Sequence, residues 1–369
     1  MQYVPAKYSQ GFTLVELMIA MVLGLIVVGG SVALFVSQRV TNRQSTEMVG
    51  IQAEGRIAMD SLARDVRAAG DFGCWPVGTY TQVINDGNRF YPDNGGIVGF
   101  ARGTVSTAKL KGKDGQATVT MPAADIIATY TLDSQSDVVA IRGINGMLTE
   151  LDSAMTDGTT ALKLVTPAAG QDVKIGDALL ITDCKASSIF EATSNSTTSV
   201  THTAGTTTGI GTGNKQEGLG SIYKTGAIVG RLDVVWWFVA TINNIKGLYR
   251  LSARDAILGN AKPQLVSDQV ATLHLNYAYE LAAEPTTGSS LATGEVKTVT
   301  ADQLIANVNA GGLGGWFSVR GVTINMLIRS SKPGNTVAVP YTFDSDVQTM
   351  PTDRYVYLPM KMSVGIRNL

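Results

Sequence analysis

The chain has 369 residues, of which 44% are hydrophobic and 7% aromatic, and its 29 basic residues nearly balance its 30 acidic residues. This balance gives neither the basic excess expected of a nucleic-acid partner nor the acidic excess expected of a disordered chain. The length is ample for a buried core, in one large domain or two lobes, and the 40 glycines favour a turn-rich, strand-dominated chain over a helical bundle.

The N-terminal segment has a chemistry that dictates its location. Residues 12–36 contain one charged residue, Glu16, and no Lys, Arg, Asp, His, Asn or Gln. As a helix they would extend roughly 37 Å, which exceeds the ~30 Å hydrocarbon core of a bilayer. We therefore predict a single membrane-spanning helix over residues 12–36.

Glu16 is the anomaly in this segment, because an acidic side chain at mid-bilayer costs on the order of 2 to 3 kcal/mol. No cationic side chain lies within a helical turn of it. Cleavage between Gly11 and Phe12 would create an α-amino group four residues away, which could neutralise Glu16 in the same helix or in a neighbouring copy. A cleaved secretory signal is disfavoured because the apolar run is too long, and a plain signal anchor leaves Glu16 and the Gly-Phe junction unexplained.

The sequence GFTLVE at residues 11–16 resembles the class III signal of type IV pilins. In that family a prepilin peptidase cuts after the Gly and N-methylates the new Phe. The resemblance implies that residues 1–11 are a cytoplasmic leader, that Phe12 is the methylated mature N-terminus, and that Glu16 registers subunits in the fibre.

The same resemblance implies a location. The chain would span the bacterial inner membrane once, with its C-terminal domain in the periplasm, and would reach the pilus surface after assembly. Gln10 departs from the Lys or Arg that commonly precedes the Gly, and Lys7 is the only cation of the leader. This departure weakens the positive-inside signal without removing it, because the leader has no acidic residue.

Residues 37–70 are predicted to continue the helix as an amphipathic spine, with apolar residues at spacings of three and four and charged residues on the other faces. The apolar positions are Met48, Ile51, Gly55, Ala58, Leu62, Val66 and Ala69. No Pro interrupts residues 12–70, so we expect one helix of about 85 Å, ending at Gly70, with the globular domain packed on its outer half only.

The two cysteines, Cys74 and Cys184, form an even pair, and an anchor that leaves the rest of the chain outside the cytoplasm would put them in an oxidising compartment. We predict a disulfide, which closes a loop of about 110 residues and contributes at most on the order of 4 to 5 kcal/mol in the chain-entropy model. Two unpaired buried thiols are the alternative. Neither cysteine lies in a CxxC pair, and two ligands do not make a zinc site.

The sequence at the end of the spine resembles a narrower family. Residues 62–74, LARDVRAAGDFGC, are similar to the minor pilins called PilW, as are residues 136–142, 176–184 and 364–369. The resemblance implies a low-abundance subunit that helps to start or cap the fibre. Its implied partners are the prepilin peptidase, other minor pilins, the major pilin and the inner-membrane assembly platform.

Beyond Cys74 the hydrophobic pattern changes to period two, which predicts strands. The candidate strands are residues 138–142, 161–165, 178–182, 188–192, 231–241, 248–251, 270–280, 319–329, 337–343 and 355–366. The apolar run at 234–239 is expected to be central, and 270–280 alternates as a half-buried antiparallel strand should. The predicted fold class is α+β and pilin-like: a long N-terminal transmembrane and spine helix packed on a large antiparallel β-sheet-rich domain, residues 71–369.

Residues 193–221 are rich in Ser, Thr and Gly and are predicted to form a flexible, exposed loop. Within it, residues 209–215 faintly resemble a phosphate-binding loop, but they lack the Walker spacing and follow no strong strand. The stretch is therefore interpreted as a low-complexity insertion or as a contact surface between subunits.

The chain offers little for catalysis. His202 and His274 are its only histidines, and no Gly-x-Ser-x-Gly, HExxH, EF-hand or paired CxxC pattern accompanies them. Both histidines are expected to face solvent. The Asp-Gly pairs at 86, 114 and 157 are typical of hairpin turns, with a calcium site as the weaker alternative. We predict neither an enzyme activity nor a cofactor.

The patterns agree with a structural subunit, and the resemblance implies that it is a minor pilin that helps to initiate type IV pilus assembly and is incorporated in the fibre or at its tip. A minor pseudopilin of a type II secretion system shares the leader and the helix and is the first alternative. A tip adhesin or a membrane-anchored periplasmic enzyme is the second, because adhesion needs no sequence motif.

Overall fold

The computed structural model confirms the α+β class, with one long N-terminal helix and a strand-rich globular domain. It describes residues 13–73, 79–85, 96–102, 110–111, 118–119, 130–194, 196–205, 213–252, 254, 262–280, 296–309, 316–344 and 348–367. Helix α1 spans Leu14–Arg67, helix α2 spans Ala301–Asn309, and a turn of 3₁₀ helix spans Trp316–Ser318.

Nineteen strands are found in the described residues. In chain order they are β1 Thr79–Gln82, β2 Ile97–Phe100, β3 Leu110–Lys111, β4 Thr118–Val119, β5 Thr131–Leu132, β6 Val138–Glu150, β7 Leu162–Lys163, β8 Ala178–Thr182, β9 Ala186–Glu191, β10 Ser199–Val200, β11 Ile228–Ile242, β12 Ile245–Ser252, β13 Gln264–Ser267, β14 Val270–Glu280, β15 Val296–Thr300, β16 Val319–Arg329, β17 Tyr341–Thr342, β18 Gln348–Thr349 and β19 Tyr357–Gly365. The predicted bounds of β8, β14 and β16 are confirmed, because these strands carry strong period-two or wholly apolar patterns.

Helix α1 passes through two environments without a break, as the sequence predicts. Every residue from Thr13 to Arg39 is exposed, and the buried residues of the helix begin at Ile51 and end at Val66. The helix ends at Arg67, three residues before the predicted end. Gly70 has a left-handed backbone, with φ at 75°, and its N–H donates to the carbonyl oxygen of Arg142, so the chain turns onto the sheet at this point.

Strand β11 is the centre of a nine-stranded sheet and pairs antiparallel with four strands, two on each side. One side pairs with β12 and β8, and the other with β6 and β5. The sheet continues from β8 through β9 to the parallel edge strand β1, from β12 to β13, and from β6 to β2. The run at 234–239, which was expected to be central, is buried throughout.

A second sheet, with strand order β15-β14-β16-β19, is antiparallel and forms part of the surface on which α1 packs. The helix approaches it most closely at Gly55, where an added Cβ would collide with Met360 and would lie 2.9 Å from Cγ1 of Ile328. On β14, Leu273, Leu275 and Tyr277 are buried and alternate with half-buried polar residues, which confirms the predicted pattern.

The residues that the structure describes form two hydrophobic cores. The helix-side core joins α1, most of the nine-stranded sheet and the four-stranded sheet. The distal core is separate and consists of Val83, Leu151, Met155, Leu162, Leu164, Val173, Leu179, Ile181, Phe190, Ala192, Val200, Leu219, Tyr223, Ala227 and Val229. Because side chains alternate along a strand, β8 gives Leu180 to the helix-side core and both of its neighbours to the distal core.

The distal core lies beyond the C-terminal end of α1. Near that end, Asp65 contacts Trp237 of β11, and Gly70 bonds Arg142, which pairs with Val234. Strand β11 therefore runs antiparallel to α1, and its residues that precede Trp237 extend beyond the C-terminal end of the helix. The residues around Val229 line the distal core. The nine-stranded sheet thus contributes side chains to both cores.

In the part of residues 193–221 that the structure describes, exposed residues such as Thr203 and Lys215 alternate with buried ones, so the expected exposure holds only in part. Val200, His202, Asn214 and Leu219 are all buried. Val200 and Leu219 complete the distal core, and Asn214 donates to and accepts from the backbone of Glu191. A polar stretch can be held in this way because its few apolar side chains enter a core that other segments build.

The close approach at Gly55 gives a stability prediction. Replacing Gly55 with Val forces two methyl groups against Ile328 and should lower the free energy of unfolding by about 1 to 3 kcal/mol. Gly50 has no atom within 4 Å of its Cβ position. The same change there should stabilise the helix by a few tenths of a kcal/mol, roughly. Urea unfolding of the detergent-solubilised chain, followed by tryptophan fluorescence, measures both, and equal effects would contradict the packing described.

Candidate membrane and assembly site

The first turn of α1 is organised around Thr13 and Glu16. Thr13 is the N-cap, with an extended backbone (φ −79°, ψ 150°), and its Oγ1 accepts from the Glu16 N–H at 3.3 Å. Glu16 therefore stands at the third helical position, where the free N–H groups and the positive end of the helix dipole favour a carboxylate. The N-terminus of the helix therefore stabilises the Glu16 carboxylate in part, in addition to any stabilisation by an amino terminus created at Phe12.

Thr13 is a residue that the sequence reasoning missed. The signal was present, because Thr-x-x-Glu before an apolar run is the pattern of a capping box. The pattern fixes where the helix begins, at Leu14, which is after the Gly11-Phe12 junction. Gly11 and Phe12 themselves lie outside the described residues.

The exposed part of α1 is the candidate membrane segment. Among the described residues, α1 is the one helix long and apolar enough to cross a membrane, and its most apolar stretch is wholly unburied. Its exposed apolar side chains run from Leu14 to Val36 and are not covered by any residue of the head that the structure describes. Surface of this kind and extent is typical of a segment that faces lipid or other helices.

The helix is joined to the head by Asp65. Its Oδ2 accepts from Nε1 of Trp237 at 2.9 Å and from Nε of Arg250 at 2.8 Å. Trp237 is almost fully buried, whereas Arg250 and Asp65 are partly exposed. No local sequence pattern predicts this contact, because its partners lie more than 170 residues away in the chain.

Several segments that carry the PilW resemblance hold buried carboxylates. Asp177 forms an ion pair with Arg254 at 2.8 Å. Asp137 accepts from the N–H groups of Leu275 and Arg102, and so ties the start of β6 to the four-stranded sheet. Burial raises the pKa of Asp137, and these two hydrogen bonds oppose the rise. These contacts give both aspartates a structural role.

The two cysteines are placed differently with respect to the described residues. Cys184 lies in the turn between β8 and β9 with a φ of 64°, and its N–H donates to Oγ1 of Thr182. Cys74 lies outside the described residues. Its neighbour Gly73 packs against the same turn, since an added Cβ there would lie 2.9 Å from Cγ2 of Thr182.

The two histidines lie in different surroundings. His202 is only 2% exposed, contrary to the expectation that it faces solvent, because its ring lies between the carbonyl oxygens of Glu217 and Thr160 at 2.7 and 3.1 Å. His274 is half-buried and its Nδ1 lies 2.8 Å from Asp344. In the described part of the chain, no three His, Cys, Asp or Glu side chains are placed to hold a metal ion.

Comparison with known proteins gives one match, at the N-terminus. The family model described as the prokaryotic N-terminal methylation motif matches residues 6–32, which include Gly11, Phe12 and Glu16. Over this segment the chain is similar to type IV pilin-like proteins. The motif indicates a structural protein of pilin or pseudopilin type that prepilin peptidase processes, and the apolar helix is consistent with anchoring in a membrane. No curated protein and no solved structure matches the chain.

The hydrogen bonds of Asp65 lead to a prediction about the stability of the contact between α1 and the head. Asp65→Ala leaves the buried Trp237 indole N–H without an acceptor and should cost about 1 to 3 kcal/mol of unfolding free energy. Asp60 is exposed on the same helix, and Asp60→Ala should change stability by less than about 0.5 kcal/mol. Both variants gain the same helix propensity, so their difference in urea unfolding isolates the contact. Equal stabilities would rule it out.

Proposed function

We propose that this chain is a minor pilin, held in the bacterial inner membrane by α1 and later incorporated in a type IV pilus, or at its tip, after helping to initiate assembly. The observation that carries the proposal is one helix that begins within a methylation motif, is exposed from Thr13 to Arg39, and has its buried residues only between Ile51 and Val66. The remaining apolar surface is thereby free to exchange lipid for neighbouring helices.

Processing would prepare this helix. The proposed cleavage after Gly11 leaves Phe12 as an N-methylated amino terminus, two residues before the start of α1. Its positive charge would add to the dipole at the helix N-terminus and complete the compensation of Glu16. In a bundle of copies, the amine and the carboxylate could pair between subunits and set their register.

The PilW resemblance supports a minor rather than a major pilin. Two of the segments that carry it, residues 62–74 and 136–142, meet at the end of α1, where Gly70 donates to the Arg142 carbonyl at 2.9 Å. The distal core adds a lobe beyond the helix end. Such a lobe suits a subunit at the fibre tip, which has no neighbour above it.

A minor pseudopilin of a type II secretion system is the second candidate, because the methylation motif is shared by pilins and pseudopilins. The two assignments differ in partners. Affinity purification of the full-length chain from membranes, with mass spectrometry of the proteins recovered, should give other minor pilins and the major pilin. Recovery of secretion-system components would favour the pseudopilin instead.

The proposed role of Glu16 is tested by removing its charge. Glu16→Gln should leave membrane insertion intact, since the charge opposes insertion. If pairing in the bundle contributes about 1.4 kcal/mol, incorporation into sheared fibres should fall roughly tenfold. Glu16→Asp retains the charge and should recover much of the incorporation. Unchanged fibre content in Glu16→Gln would contradict the proposed register.

We also propose a disulfide between Cys74 and Cys184, supported by the packing of Gly73 on the turn that precedes Cys184. Replacing both cysteines with Ser should lower the free energy of unfolding by about 2 to 4 kcal/mol. A reductant should destabilise the native chain by a similar amount and leave the double variant unchanged. Two free thiols by thiol titration of the denatured, unreduced protein would disprove the bond.

A further inference from the structure

Residues 331–344 and 348–356, here together called the proximal loop, expose an apolar surface that the proposed function does not use. Val337 is 66% exposed, Val339 46% and Met350 64%. The loop contains the small hairpin of β17 and β18, with Val337 and Val339 before it and Met350 directly after it. The three residues therefore lie in the chain segments at the open end of the hairpin.

The proximal loop is tied to α1 near the end of its apolar segment. Nε2 of Gln44 donates to Oδ1 of Asn335 at 3.2 Å, and the Asn335 N–H donates to the Arg354 carbonyl, which brings the two arms of the loop together. Gly334 lies beside Glu47, with its Cβ position 3.5 Å from Cγ. An extended chain covers about 3.3 to 3.6 Å per residue, so Val337 lies within roughly 7 Å of Asn335.

The height of this attachment matches the surface of a bilayer. Gln44 follows Val36 by eight residues, which is about 12 Å along the helix. The polar layer on each side of the hydrocarbon core is roughly 5 to 8 Å thick. Gly334 lies beside Glu47 and the next residue, Asn335, bonds Gln44, so the loop here advances along α1 towards its apolar segment. A further 7 Å or so in this direction, roughly, brings the loop to this layer. Tyr341 and Tyr357 stack at 4.8 Å beside it, and tyrosine is enriched at membrane interfaces.

We propose that the proximal loop docks on the periplasmic surface of the bilayer that α1 spans, with Val337, Val339 and Met350 in the headgroup layer. The inference rests on the membrane insertion of α1. The sequence of residues 331–356 holds two cations, Lys332 and Arg354, and three acids, Asp344, Asp346 and Asp353, so it has no positive excess and the contact is apolar and requires no anionic lipid. The loop would hold the head at a fixed height until the helix is extracted.

Photocrosslinking to lipid tests this contact directly. The full-length chain is placed at one copy per phosphatidylcholine nanodisc that contains a phospholipid with a diazirine in its headgroup region, and adducts are mapped by mass spectrometry. Adducts are expected in residues 331–356 and at the ends of the membrane segment of α1. The distal surface at Leu148 and Val165 is comparably exposed, at 60% and 47%, and should remain unlabelled.

Two variants serve as matched controls. A variant carrying Val337→Ser, Val339→Ser and Met350→Ser should lose the loop adducts down to the level of the distal surface while keeping those of α1. The double variant Leu148→Ser with Val165→Ser should change neither the loop adducts nor the α1 adducts. Loop labelling no higher than distal labelling, or labelling that appears only with anionic lipid, would overturn the proposal. Loss of the α1 adducts would instead refute the membrane anchor, so the two failures are distinguishable.

Discussion

The structure depends on one constraint: a single helix must satisfy two different surroundings along its length. Residues up to Arg39 are exposed in the monomer, and those from Ile51 to Val66 form one wall of a protein core. Backbone hydrogen bonds inside a helix are satisfied in lipid and in protein alike, so the helix needs no break between them. Only the side chains differ between the two parts of the helix. The head can therefore pack on the second part while the first part remains exposed.

The head is built so that its distal part is linked to the helix through a strand. Asp65 fixes α1 to Trp237 of β11, and the same strand continues to Val229 in the distal core. Since β11 pairs with strands on both sides at its N-terminal and C-terminal halves, it connects the two cores as one stiff element. A force on the helix therefore reaches the distal lobe through hydrogen-bonded strands, with no loop in the path.

The sequence predicts what is local and misses what is distant. The helix, the central position of residues 234–239 and the bounds of β14 follow from hydrophobic period, which acts over a few residues. The Asp65 contact joins positions more than 170 residues apart, and no local pattern encodes it. His202 was placed in solvent because its neighbours are polar, yet a short polar stretch becomes buried when two backbone carbonyls and the ring of Phe190 enclose one of its side chains.

Glu16 favours the transfer of the helix from lipid to a bundle of helices, for which the free energies of the two states are otherwise nearly equal. Moving apolar side chains from lipid to neighbouring helices changes their surroundings little, because lipid tails are as apolar as those side chains. A carboxylate distinguishes the two states: it is costly in lipid and stabilised by a helix N-terminus or an amine. In the proposed assembly, most of the helix therefore supplies contact area, and the end capped by Thr13 determines that the assembled state is preferred.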